Sequence, residues 1–257
     1  MIFPTGIFRT EYSQMTEERK CYYANGQLWI HSFYRNDIQD GKHTIWYDDG
    51  KICEQMFYIA GIREGENKSW YINGQLKDRR LYRGGKIDGI CESWHANGLP
   101  MQRVFYKDGK PEGESKIWYH NGQLMLRDFY RDGQFEGVQK SYYPNGQLQL
   151  LTFHRNGLHE GEYRSWHYNG VLSCKAFYKS GNKHGIRTTH DHLGNILYQQ
   201  LYQDDSFVGH VTSSKKTALL HLKTKANTFI NYKHSFRILN IFLISDLFML
   251  ISRQSSQ

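Results

Sequence analysis

The chain has 257 residues, a formal net charge of +8 and an aromatic content of 15%. The charge surplus lies at the C-terminus: residues 210–257 hold seven Lys or Arg and one Asp, whereas residues 1–209 hold 26 basic and 24 acidic side chains. A nearly neutral body lacks the phosphate attraction that provides most nucleic-acid affinity, so composition argues against a nucleic-acid partner.

Residues 1–17 are a lead-in without the basic region and long apolar stretch of a signal peptide. The cysteines form no Cys-x-x-Cys pair, and an array that repeats its other features would be expected to repeat its disulfides. We therefore expect a cytoplasmic protein in a reducing compartment. The four cysteines are Cys21, Cys53, Cys91 and Cys174.

Residues 18–209 consist of a 24-residue unit that occurs eight times without insertion or deletion. Positions in the unit are counted from the glycine of the Asn-Gly pair, which is position 0. Positions 0, +11 and +15 are almost always glycine, and because glycine tolerates positive φ these residues predict turns and not a phosphate-binding loop. The predicted turn glycines at positions 0 and +15 are Gly26, Gly50, Gly74, Gly98, Gly122, Gly146, Gly170, Gly41, Gly65, Gly89, Gly113, Gly137, Gly161 and Gly185.

Aromatic and aliphatic residues also recur at fixed positions. In nearly every unit position −4 is Trp or Tyr, −3 is Tyr or His, +2 is aliphatic, +7 is Phe or Leu, and +8 is Tyr or His. The candidate aromatics of a binding face are Trp46, Trp70, Trp94, Trp118, Trp166, Phe57, Phe105, Phe129 and Phe153.

Each unit is predicted to form two strands of about six to eight residues. The Asn-Gly pair predicts a two-residue type I′ connection, since that turn needs φ > 0 at both central residues. The second connection, around Gly133, is predicted to be slightly longer. This register places Leu148 opposite Tyr143, and Tyr130 opposite Gly137, so that the tyrosine ring covers bare glycine backbone. The units together predict an antiparallel all-β array of hairpins.

The predicted register gives the sheet two different faces. One carries the Leu, Tyr and Gly rows and the other the Phe and Trp rows, and a single layer cannot bury both. Basic residues at +9 and acidic residues at +14 form a ladder, in which Arg131 is predicted opposite Glu136. We interpret the ladder as exposed cross-strand ion pairs, with a charged edge that orients a partner as the alternative.

Residues 210–257 form a tail without glycine, basic first and then apolar. The apolar stretch 238–251 is too short to span a bilayer and contains Asn240 and Asp246. Three interpretations stay open: a cap over the last hairpin, a poorly ordered tail, or an interfacial anchor whose lysines face acidic lipid.

The sequence contains no catalytic motif. His95, His154, His167 and His190 replace aromatic residues of the unit. The local group His190, Asp191 and His192 lacks an evident third metal ligand. Nucleophile elbows, zinc-protease helices and phosphate-binding loops are absent, and the repeats leave no room for an enzyme domain. We expect a non-enzyme without cofactor or metal.

The string Tyr-x-x-Gly-x-x-x-Gly-x-x-x-x-Trp-Tyr-x-Asn-Gly resembles the MORN repeat. It is most similar to the variant class of bacteria and large DNA viruses, some members of which are named as antitoxin components. The segment "YRDGQFEGVQKSYYPNGQL" carries this spacing, with one extra residue after Asn-Gly that makes the period 24. The resemblance implies a single-layer antiparallel sheet of hairpins and a non-catalytic binding or scaffolding role, sometimes near membranes.

We therefore expect a protein–protein interaction scaffold whose exposed aromatics anchor a peptide or a second copy of the chain. Two alternatives stay open. One is an antitoxin-like neutraliser of a partner toxin, and the other is a peripheral membrane or phospholipid adaptor that associates through the tail.

Overall fold

Residues 16–211 of the chain are described in a computed structural model, and over that range they form one antiparallel sheet of 22 strands without a helix. The prediction of an all-β array of hairpins is confirmed. The interpretations of the tail, and most of the lead-in, lie outside the described residues.

The strands follow the repeat, and in most units the arm that returns to the Asn-Gly loop is divided into a two-residue and a six-residue strand. The first eleven strands are β1 (Glu17–Tyr22), β2 (Leu28–Arg35), β3 (Ile38–Trp46), β4 (Ile52–Ile59), β5 (Ile62–Arg63), β6 (Gly65–Trp70), β7 (Leu76–Arg83), β8 (Lys86–Ile87), β9 (Gly89–Trp94), β10 (Pro100–Lys107) and β11 (Lys110–Trp118). The others are β12 (Leu124–Arg131), β13 (Gln134–Phe135), β14 (Gly137–Tyr142), β15 (Leu148–Arg155), β16 (Leu158–His159), β17 (Gly161–Trp166), β18 (Leu172–Lys179), β19 (Asn182–Lys183), β20 (Gly185–His190), β21 (Ile196–Gln203) and β22 (Ser206–His210).

The Asn-Gly loop contains three residues, so the predicted two-residue type I′ turn is wrong. In the fifth unit the Tyr119 amide donates to Gln123 O at 2.8 Å, and the Gly122 amide donates to Tyr119 O at 2.9 Å. Within this loop only Gly122 has a positive φ, 85°. Asn121 instead accepts a hydrogen bond from the Gln123 amide on its Oδ1 at 3.0 Å. That local bond favours a type I turn followed by a left-handed glycine, which also closes a hairpin.

The two-residue type I′ turn lies at the second connection, which the sequence predicted to be the longer one. Asp132 and Gly133 have φ values of 51° and 83°, and Arg131 pairs directly with Gln134. The sequence prediction assigned the two turns the wrong way round, because Asn-Gly is a strong signal for a type I′ turn when it is considered without its neighbours.

A bulge in each Asn-Gly hairpin shifts the register. Tyr142 pairs with Leu148, and the shift falls between Ser141 and Tyr142. The predicted pairing of Leu148 with Tyr143 is wrong, because counting outward from a two-residue turn omits both the third loop residue and the bulge.

A second irregularity interrupts the return arm at Glu136, between β13 and β14, and Gly137 beside it has a φ of 78°. Tyr130 therefore pairs with Phe135 on this side, and its glycine partner is Gly113 on the other side. The predicted Tyr130–Gly137 pair is wrong, although a tyrosine opposite a glycine does occur in the neighbouring hairpin. All fourteen predicted turn glycines have a positive φ, but those at +15 lie in these irregular segments and not in turns.

Successive strand residues point to opposite faces of the sheet. The closed face is defined here by positions −9, −7, −5, +4, +6, +8 and +13. Its most buried row is position +6, where small and medium side chains predominate. The buried members of this row are Ser32, Met56, Val104, Asp128, Thr152 and Ala176.

Rings at +8 and +13 alternate along the closed face and flank the buried row. Ring centroids are 4.7 Å apart for Tyr130 and Phe135, and 5.3 Å apart for Phe135 and His154. The series continues from His154 to His159 at 4.3 Å and from His159 to Tyr178 at 5.1 Å. The closed face thus gains burial from its own side chains without a second layer.

Hydrogen bonds from position −3 join each unit to the next. The Tyr119 hydroxyl donates to Tyr142 O at 2.8 Å, and where His replaces Tyr, His95 Nε2 donates to Trp118 O at 3.1 Å. Burial, together with the nearby Cys53 thiol, raises the pKa of Tyr47 to about 12, so this hydroxyl keeps its proton and remains a donor.

Two further positions form bonds between units. Asn121 Nδ2 donates to Pro144 O at 3.1 Å, so one amide group both closes its own loop and holds the next one. Glu112 Oε2 accepts a hydrogen bond from the Asp132 amide, at 2.8 Å, in the type I′ turn of the following hairpin. Because these contacts span a fixed number of residues, an insertion within the unit would break them.

Candidate binding face

The second face of the sheet, called the open face, carries positions −8, −6, −4, +5 and +7. The His31 ring at +5 lies 4.7 Å from the ring of Phe33 at +7 and 6.4 Å from that of Trp46 at −4. The Phe and Trp rows therefore share one surface, which matches the predicted division of the faces.

The candidate aromatics lie together on the open face and differ in exposure. Phe57 and Phe105 are each 42% exposed, whereas Phe129 and Phe153 are half-buried. Phe177 at the same position is 46% exposed, and it was missed as a candidate although its place in the unit gave the signal. The half-buried tryptophans of the row at −4 are Trp46, Trp70, Trp94, Trp118 and Trp166.

Charged residues lie between the two aromatic rows. Glu114 at −8 accepts hydrogen bonds from Lys116 Nζ and from Arg127 Nε, both at 2.6 Å. The Lys116 ammonium, and after it the Arg127 guanidinium, holds the pKa of Glu114 below its usual value although partial burial raises it. The Arg127 guanidinium also lies 5.2 Å from the centroid of the Phe129 ring. Ion pairs and rings therefore form one continuous surface.

The open face is basic although the repeat body as a whole is nearly neutral. Positions −8, −6 and +5 hold ten basic and five acidic residues, whereas the closed-face positions hold five and four. The basic residues are Lys20, Lys42, Lys68, Arg79, Arg103, Lys116, Arg127, Lys140, Arg164 and Lys175. The acidic residues are Glu18, Glu66, Glu92, Glu114 and Glu162. Sequence reasoning missed this asymmetry because it summed charge over the chain and not over each face.

The predicted ladder between +9 and +14 is present in part. Arg131 lies 3.8 Å from Glu136, although the residue that it pairs with in the sheet is Gln134. Arg35 and Asp40 are 3.0 Å apart. The acidic residues at +14 also accept backbone hydrogen bonds from the next hairpin, a structural role that the sequence pattern did not indicate.

The group His190, Asp191 and His192 forms part of a turn. Asp191 Oδ1 accepts hydrogen bonds from the amides of Leu193 at 2.9 Å and Asn195 at 2.8 Å. Over residues 16–211 no three His, Cys, Asp or Glu side chains are placed to hold a metal ion. The Asp191 carboxylate, the best metal ligand of this group, therefore already accepts hydrogen bonds from backbone amides.

The MORN repeat variant family matches five segments of the chain, residues 18–36, 39–60, 111–133, 135–157 and 160–180. The chain belongs to the MORN repeat proteins. The units outside the matched segments have the same strands and loops, so the repeat continues through them. No curated protein matches the chain.

MORN repeats commonly serve as protein- or membrane-binding modules, and the family is generally non-catalytic. Within the described range, 16–211, no helix has the length and apolarity needed to cross a bilayer.

Proposed function

We propose that this MORN-repeat chain is a non-catalytic protein-interaction scaffold and that the open face is its docking surface. The row of phenylalanines at +7 carries the proposal. Phe57, Phe105 and Phe177 are 42%, 42% and 46% exposed and occupy the same position of the repeat in different units. Contiguous exposed apolar surface marks interaction sites, and aromatic side chains dominate the binding energy of protein interfaces.

The surroundings of these rings favour a protein partner. Protein interfaces combine aromatic and arginine anchors with a polar rim that provides hydrogen bonds. On the open face Arg79 Nη2 lies 2.5 Å from Glu92 Oε2, and Arg127 lies beside Phe129. These guanidinium groups are already oriented by carboxylates, which reduces the entropy lost when a partner binds.

The test is to isolate the partner from extracts of cells that natively contain the protein, identify it, and measure its affinity for the purified full-length chain. The variant Phe57→Ser with Phe105→Ser removes two anchors of the open face. The matched control, Ile72→Ser with Leu193→Ser, removes two apolar side chains that are 56% and 73% exposed, in the Asn-Gly loop of the third unit and the equivalent loop of the eighth.

We expect the phenylalanine variant to weaken binding at least about tenfold and the control to change it less than about twofold. Both variants should keep the β-sheet circular dichroism spectrum. Equal effects would show that the open face is not the docking surface. If the identified partner is a toxin that the chain neutralises through this face, the scaffold acts as an antitoxin. Recovery of lipid alone would instead favour a peripheral membrane adaptor.

A further inference from the structure

Given that the open face is the docking surface proposed above, its charge defines the chemistry of the partner. On the open face of the third to fifth units, each glutamate contacts two cations. Glu66 lies 2.6 Å from Lys68 and 3.7 Å from Arg79, and Glu92 lies 2.5 Å from Arg79 and 3.5 Å from Arg103. Because Arg79 contacts both glutamates, these two carboxylates face three cations, which leaves a surplus of one positive charge.

Two cations of the central units are not neutralised by a close ion pair. Arg103 is 59% exposed and contacts its single carboxylate only at 3.5 Å. Lys140 makes no ion pair with any residue between 16 and 211. An acidic partner would gain attraction here without first displacing a strong ion pair.

The spacing of the rows suits an α-helix that crosses the strands. Each unit contributes two strand widths, so equivalent residues of successive units are roughly 9.6 Å apart. Seven residues of an α-helix advance about 10.5 Å. A helix with one anchor per heptad can therefore place successive anchors beside successive phenylalanines.

The width of the open face points to the same partner. Position +7 pairs with position −8, as Phe129 does with Glu114, and position −4 lies four strand residues further along. The Phe and Trp rows are therefore separated by about 13 Å. A helix with its side chains is about 10–12 Å across. It can lie over the basic positions −6 and +5 and touch both aromatic rows.

An extended strand fits this spacing poorly. Three extended residues advance about 10 Å, but an odd step turns successive side chains to opposite sides. Only every second phenylalanine could then be contacted by the same side of the peptide.

We propose that the open face binds an acidic amphipathic α-helix, which lies across the strands with one apolar anchor per unit and carboxylates over Arg79, Arg103, Arg127 and Lys140. Because sheets twist by roughly 20–25° per strand, a straight helix contacts only a few consecutive units. Arg79, Arg103, Arg127 and Lys140 lie in four consecutive units, so a partner segment that reaches all of them is about four heptads long, on the order of 42 Å.

The probe is a dye-labelled 28-residue peptide of four heptads, with leucines on one helix side and glutamates flanking them. A second peptide has the same composition in shuffled order and lacks the heptad spacing. Binding to the full-length chain is followed by fluorescence anisotropy at about 50 mM and about 200 mM salt. We expect the heptad peptide to bind at least about tenfold more tightly than the shuffled peptide, and less tightly at the higher salt.

The location of the site is tested by charge reversal. The variant Arg103→Glu with Lys140→Glu changes two residues between the aromatic rows of the fourth and sixth units. The control Lys107→Glu with Arg155→Glu changes one Lys and one Arg in the same two units, at the exposed position +9 beyond the Phe row. We expect at least about tenfold weaker binding for the first variant and less than about threefold for the control, because screening limits charge effects beyond about 10 Å.

Equal loss in the two charge variants, or equal binding of the two peptides, would overturn the proposal of an acidic helix. Vesicles with about 30% phosphatidylserine are tested in parallel. Vesicle binding that the first charge variant abolishes, without peptide binding, would assign the face to acidic lipid and would also contradict the helix. If the natural partner depends on Phe57 and Phe105 but the acidic probe does not bind, the scaffold function stands and the partner chemistry is wrong.

Discussion

The two faces of this sheet are made by neighbouring residues of the same strands, yet their environments differ. Val104 is 3% exposed on the closed face, whereas Phe105, the next residue, is 42% exposed on the open face. On the closed face, rings from adjacent strands enclose a row of small residues. On the open face, larger aromatic side chains remain partly in water beside paired charges. The proposed function thus assigns stability and binding to alternate residues of each strand.

The largest effect is expected when the same charged residue is placed on each face in turn. We expect Val104→Asp to lower the free energy of unfolding by about 3 kcal/mol or more, because the carboxylate is buried without a partner. Phe105→Asp should cost less than about 1 kcal/mol, because its side chain reaches water. Urea denaturation of the full-length chain measures both. Similar costs would mean that the faces do not differ in burial.

Much of this arrangement could be predicted from the sequence, because the repeat constrains it eight times. The 24-residue period located the glycines and the aromatic rows, and the alternation of strand side chains separated the Tyr row from the Phe row. The candidate rings such as Phe57 and Phe105 follow from position alone. Their exposure does not, because it depends on how neighbouring strands cover one another.

The errors have local causes. Asn121 accepts a hydrogen bond on its side chain and does not adopt a positive φ, so the turn type could not be assigned from the Asn-Gly pair alone. The irregularity between Phe135 and Gly137 changes the partner of Tyr130, and its position could not be found by counting residues from either turn. The basic character of the open face emerges only after each charged residue is assigned to a face.

Asp128 is an exception on the closed face, and removing its charge should stabilise the protein. Burial raises the pKa of Asp128, although a hydrogen bond from Gln139 opposes this, and its Oδ1 has no hydrogen-bond partner. We expect Asp128→Asn to increase the free energy of unfolding by about 1 kcal/mol at pH 7.

The pH dependence of that variant checks the cause. Because the folded state holds the Asp128 proton up to a higher pH than the unfolded state, the native protein recovers stability as the pH falls from 7 towards 4. The advantage of Asp128→Asn should therefore shrink over this range. A constant advantage would attribute the effect to packing and not to charge.

A smaller effect is expected at the loops that join the units. Asn121 donates to the next unit through Nδ2, whereas Asn145 directs Nδ2 to Gln147 in its own loop. Both accept the amide bond that closes the loop. Each substitution removes two hydrogen bonds, but only Asn121 loses one that joins two units, so Asn121→Ala should cost about 0.5 kcal/mol more than Asn145→Ala. Thermal unfolding compares the two, and a larger cost at Asn145 would contradict the role given to the bond between units.

The smallest expected effect concerns the adjacent rings of His154 and His159 on the closed face. Burial lowers the pKa of both histidines, and the charge of His159 lowers that of His154 further. The unfolded chain then binds more protons than the folded one below about pH 6.5, so stability is complete above that pH and declines as the pH falls.

Replacing both rings tests this sign. His154→Tyr with His159→Phe supplies the residues found at these positions in the neighbouring unit, where Tyr130 pairs with Phe135. The variant should lose less stability than the native chain between pH 7.5 and 5.5, by less than about 0.5 kcal/mol. An identical pH profile would show that the two histidines have the same pKa in the folded and the unfolded chain, so that burial does not shift it.

Hydroxyl-radical footprinting of the full-length chain, with and without the acidic heptad peptide, tests the distinction between the faces most directly. Phe57, Phe105 and Phe177 should be oxidised readily in the free chain, and Phe105, which lies among the proposed contacts of the helix, should be protected by the peptide. Tyr82 and His154, on the closed face, should react slowly in both states. Equal oxidation of the two sets, or protection of the closed face by the peptide, would contradict the assignment of stability to one face and binding to the other.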